Sequence, residues 1–108
     1  MIQVTDTTVL SPDPRQALNA VRTLWRMLAR LGLPERVSSE AGLVLGQIED
    51  ELRMPDPDRG VVTAHLERFI EILAGAGVDM SRRSLIRSIR RIAAWLGPMA
   101  VPLVVQIS

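Results

Sequence analysis

Apolar residues recur at helical spacing in four separate segments, and glycine or proline closes each one. That pattern narrows the fold before anything else does. The clearest case is Leu85, Ile89, Ile92 and Leu96, whose 4-3-4 spacing lays one seam along a helix able to pack on a neighbour. Val62, Leu66, Phe69, Ile70 and Leu73 make a second stripe, over a helix expected from about 57 to 74. Val37, Ala41, Val44, Ile48 and Leu52 make a third, from about 34 to 53. Leu18, Val21, Trp25, Leu28 and Leu31 make the first. That helix opens at SPDPRQ, where Asp13 can cap, Pro14 suits the first helical position and Gln16 completes a capping box. Gly32 ends it with Pro34 just beyond. Gly75-Ala76-Gly77 breaks the third helix, the fourth begins near Asp79 or Ser81, and Gly97–Pro98 ends it.

The stretch RMPDPDRG, Arg53 to Gly60, alternates prolines with aspartates and could pass for an acidic site. Its residues read better as a corner. Pro55 turns Met54 away from helix, Asp56 can cap the next helix, Pro57 suits the first helical position and Asp58 suits the first turn. A calcium loop would need other spacing and more converging oxygens.

The ends differ from the middle. IQVTDTTVL, residues 2–10, is rich in Val, Ile and Thr and could form one short strand. A lone strand needs a partner, and the only other strand-like piece is VPLVVQI near the C-terminus. Short connections favour antiparallel helical neighbours. The expected fold is therefore all-α: a four-helix up-down bundle with a short extended or β-like N-terminal arm and an apolar C-terminal tail. Residues 1–11 would be the arm and residues 12–108 a single bundle domain. With only Trp25, Trp95 and Phe69 as aromatics, the core must be aliphatic.

Several chemistries have no residues to run on. The chain has no cysteine, which removes disulfides, thiolate metal sites and cysteine nucleophiles, and suits a reducing, cytoplasmic setting. The first residues lack the basic and apolar regions of a signal peptide. His65 is the only histidine, so no HExxH is possible, and nucleophile elbows, P-loops and GxGxxG are absent. Glu49, Asp50 and Glu51 are consecutive and fan around a helix instead of converging. No catalytic residue, metal or cofactor is expected, and the protein is read as a non-enzyme. From Ile92 to Ser108 no residue is charged, but Gly97, Pro98 and Pro102 interrupt the run, and it falls short of the roughly 20 residues a membrane span needs.

Charge is the strongest remaining signal. All basic residues are arginine, which more often reflects a GC-rich genome than a need for guanidinium chemistry. From Met1 to Asp79 eight arginines face twelve acids, net −4; from Met80 to Ser108 there are five arginines and no acid, net +5. Arg83, Arg87, Arg90 and Arg91 fall on the face of the fourth helix away from its Leu/Ile seam; the plain reading is a solvated or internally paired face, and the functional one is a candidate site for an anion or a partner. Arg82 and Arg83 sit at the positive end of the helix dipole, where a cation is disfavoured. Acids of the same chain, an acidic partner or phosphate would each favour them there.

A second set of residues points to self-association. Gly42 and Gly46 share one face of the second helix, where a close backbone approach would offset their helix cost of about 1 kcal/mol each. Trp95 and the tail residues Val101, Leu103 and Val105 offer an apolar surface that monomers seldom leave open. The leading expectation is a non-catalytic protein–protein interaction module that associates with itself or with another protein. The alternative is nucleic-acid or anionic-surface binding through the arginine-rich helix over residues 81–96.

DPRQAL at the first helix, the LGLPERV turn, the PDPDRGVVTAHLERFIEIL hairpin and the RIAAWLGPMAVPL ending together resemble small all-helical domains of Streptomyces and related actinobacteria. The resemblance implies a short β-like arm ahead of helices that end in a WLGP-type motif. It brings no activity and no functional residues with it. Similar helical modules are attached to bacterial signalling and defence proteins as adaptors, an analogy of type only.

Overall fold

The computed structural model describes residues 14–97; the N-terminal arm and the apolar tail, with Val101, Leu103 and Val105, lie outside them. Four helices make up the described chain: α1 (Pro14–Arg30), α2 (Glu35–Leu52), α3 (Arg59–Gly75) and α4 (Arg83–Leu96). No strand occurs among the described residues. None of these helices is long and apolar enough to cross a membrane.

One hydrophobic core joins all four helices. Leu24, Leu45, Ile48, Leu66, Phe69 and Ile89 are essentially solvent-free within it. The helices do not share contacts equally. α2 and α3 pack closely, and α1 packs against both α4 and α2, but α3 and α4 touch only lightly. A polar clamp bridges that weak junction. The Arg59 guanidinium lies 4.6 Å from the centroid of the Trp95 ring. Its Nε also donates to the Trp95 carbonyl at 2.9 Å, serving a carbonyl in the last turn of α4 that has no partner within the helix.

Three of the four sequence stripes meet the core largely as expected. Leu85, Ile89, Ile92 and Leu96 are all buried, as are Val62, Leu66, Phe69, Ile70 and Leu73, and all of the α2 stripe except half-buried Val37. α1 is rotated from its expected phase. Ala17, Ala20, Val21, Leu24 and Leu28 are buried, while Leu18 and Leu31 sit at the margin and Trp25 is 37% exposed. The small side chains of Ala17 and Ala20 turn that side of α1 into the core.

The corner at residues 53–58 turns as expected but starts its helix later. Asp58, not Asp56, is the cap: its Oδ1 accepts from the Gly60 and Val61 amides at 2.8 and 3.3 Å. Glu51 fixes the same residue from α2 by accepting from the Asp58 amide at 2.9 Å. α4 likewise begins at Arg83, because Asp79 and Ser81 form a turn ahead of it. At the end of α1, Gly32 takes φ +66, the left-handed conformation that lets the chain reverse without strain.

Candidate functional site

α4 divides its side chains sharply between core and solvent. Leu85, Ser88, Ile89, Ile92, Ala93, Trp95 and Leu96 are buried. Arg83, Arg87, Arg90 and Arg91 are exposed. All four arginines line one surface groove of about 600 Å³, with Ile86 and Ala94 between them and Ser81 at the end. The structure therefore places the four sequence-predicted arginines together. None of the four side chains makes an ion pair or hydrogen bond among the described residues. The described ion pairs, Arg53–Glu49 at 2.6 Å and Arg68–Glu40 at 3.3 Å, belong to α2, α3 and their corner.

The start of α4 lacks a side-chain cap, and Arg82 occupies the cap position. Asp79 organises the turn instead. Its carboxylate accepts from the Ser81 hydroxyl and from the Ser81 amide, and these bonds hold its pKa below the ordinary value of 3.8, with Arg82 adding a smaller effect in the same direction. Ser81 is thereby engaged as a turn former. No group of three or more metal-ligating side chains occurs among the described residues. The chemistry on offer in the groove is donation: planar guanidinium forks that match carboxylate or phosphate oxygens in pairs.

The remaining candidates lie elsewhere. A Cβ built on Gly42 would stand 3.1 Å from the Trp25 ring, so the close approach at this glycine is made by a side chain of the same protein. Gly46 has open space where its Cβ would be. Trp95 is only 3% exposed and belongs to the core beneath Arg59.

A second basic row escapes a reading in chain order. α1 carries Arg15, Arg22, Arg26 and Arg30 and no acid, and all four are exposed. Summing charge over residues 1–79 merges α1 with the acid-rich segment that follows. The signal was present as an acid-free helix at residues 14–30. What the sequence could not show is that α1 packs on α4.

Compared with known protein families, with curated proteins and with solved structures, the chain matches none.

Proposed function

We propose that the protein is a non-catalytic binding module that takes a polyanionic partner on the arginine face of α4. One observation carries this: four exposed guanidiniums line one groove, and no acid of the described chain neutralises them. Surface arginines left without partners keep nearly their full charge for a ligand, because no internal pair has to be broken first. Supporting an up-down order of the helices, the α1–α2 turn lies beside the α3–α4 turn, and the start of α3 meets the end of α4. The cysteine-free composition suits work in the cytoplasm.

The test is binding of the full chain to three polyanions, namely duplex DNA, polyglutamate and vesicles containing phosphatidylserine. Binding to at least one at low salt is expected. Replacing Arg83, Arg87, Arg90 and Arg91 with alanine should abolish it while the helical circular dichroism stays unchanged. No binding to any of the three at about 50 mM salt, where such contacts are strongest, would falsify the proposal.

Self-association is a second reading, favoured by Leu43, which is 66% exposed on α2, and by the half-covered Trp25 ring. Light scattering over a dilution series checks it. A mass that stays monomeric at the highest concentration would remove it.

A further inference from the structure

We infer that the binding face is two helices wide, spanning α1 as well as α4, and that its partner is the phosphate backbone of a nucleic-acid duplex. This rests on the α4 arginine face proposed above and names its ligand and its full extent.

The geometry comes from the two ends of the α1–α4 pair. At one end Arg91 shares a surface depression with Gln16 and Asn19 of α1. At the other, the residues that follow α1 line a cleft with Asp79 and Arg82, just ahead of α4. The two helices therefore lie alongside each other over their length. Helical spacing puts Arg22, Arg26 and Arg30 on the same side of α1 as Asn19, three, seven and eleven residues further on. The side chains of these three arginines also have no ion pair or hydrogen bond among the described residues. The second row thus runs beside the first, and neither helix contributes an acid.

The chemistry of the face selects among polyanions. Protein–protein interface cores are depleted in charge, whereas protein–DNA interfaces are strongly positive and polar. An acid-free double row of guanidiniums belongs to the second kind. An amphipathic helix that binds a membrane inserts its apolar side, but the apolar sides of α1 and α4 are spent on the core. Single strands are held by stacking on exposed aromatics. Here Trp95 is buried, and Trp25, 37% exposed, is a single ring that lies over Gly42 on the α2 side, so no run of stacking platforms lines the face. A duplex needs no such platform. The 14 residues of α4 extend about 21 Å at ~1.5 Å each. A duplex carries about one phosphate charge per 1.7 Å, so a segment of that length turns roughly six phosphates toward one face.

The experiment follows fluorescence anisotropy of a labelled duplex DNA with the full chain, from about 50 to 200 mM salt. For four to six phosphates neutralised, log K against log salt should fall with a slope of roughly −4 to −5. Two duplexes of unrelated sequence should bind alike. The variant R22A/R26A/R30A should weaken binding at least tenfold at ~100 mM salt and flatten the slope by up to about 2.7. The matching lysine variant should restore most of the slope, which separates charge from any effect on folding. If R22A/R26A/R30A binds DNA as the parent does while R83A/R87A/R90A does not, the α1 half is wrong and the α4 site stands. If the parent ignores DNA but takes up polyglutamate or the anionic vesicles, the duplex partner is wrong and the anion-binding proposal survives. If it binds none of them, both fall.

Discussion

The α1–α4 pair and the α2–α3 pair share one core yet treat charge in opposite ways. α2 and α3 together hold seven acids and three arginines, and the described ion pairs fall on that side of the molecule. α1 and α4 hold eight arginines and no acid. Charges on α2, α3 and their corner are partly spent within the chain, on Arg68–Glu40, on Arg53–Glu49 and on the Glu51 bond to the Asp58 amide. On α1 and α4 the side chains of seven of the arginines have no partner among the described residues. The contrast teaches that net charge conceals a divided surface here. A value of +1 describes neither side.

The two pairs should also fail differently when altered. The largest effect is expected in the seam that α4 presses into the core. Ile89→Ala removes a fully buried side chain and should cost about 2–5 kcal/mol in chemical denaturation, lowering the melting temperature sharply. Next comes the clamp that joins the pairs where α3 and α4 barely touch. Arg59→Ala loses both the ring stack and the bond to the Trp95 carbonyl, for an expected cost of about 1–2 kcal/mol. Arg59→Lys keeps the charge but not the planar fork, and should fall between.

A smaller effect of either sign separates the two α2 glycines. Gly46→Ala meets open space and should stabilise by about 0.5–1 kcal/mol through helix propensity. Gly42→Ala should gain less or lose, because its Cβ must displace the Trp25 ring. Equal melting temperatures for the two variants would show that the ring yields freely.

The smallest effect is at Asp79. Its pKa is lowered in the folded state, so it favours folding above the ordinary carboxylate value, and that contribution fades as pH falls through the lower folded value. Asp79→Ala should therefore melt slightly below the parent at neutral pH and match it in acid. A gap that widened in acid would contradict the assignment.

How much of this was legible in the sequence depended on the element. The two faces of α4 were readable, because Leu85, Ile89, Ile92 and Leu96 are large and its exposed face is largely arginine, but its start and the burial of Trp95 were not. α1 was misphased because Ala17 and Ala20 give little hydropathic signal although they are fully buried, while Trp25 gives a strong one although it only flanks the core. At the corner, the sequence pattern puts the cap at Asp56 and Asp58 in the first turn, whereas Asp58 is the cap. A bond from the Asp58 amide back to Glu51 on the preceding helix accompanies the choice of Asp58, and the capping pattern alone does not contain it. The arginines of α4 were found because no acid follows them in the chain. Those of α1 were missed because the acids of α2 do follow, although in space it is α4 that lies alongside.

Two charge-matched variants test the central claim most directly. R83A/R87A/R90A and R36A/R53A/R68A each remove three positive charges, the first from the acid-free side and the second from the acidic side and its corner. Duplex DNA affinity of both would be measured at one fixed low salt concentration. The first is expected to lose at least tenfold and the second to stay within about twofold of the parent. An equal loss from both would mean that binding follows overall charge, and the α1–α4 face would then have no special role.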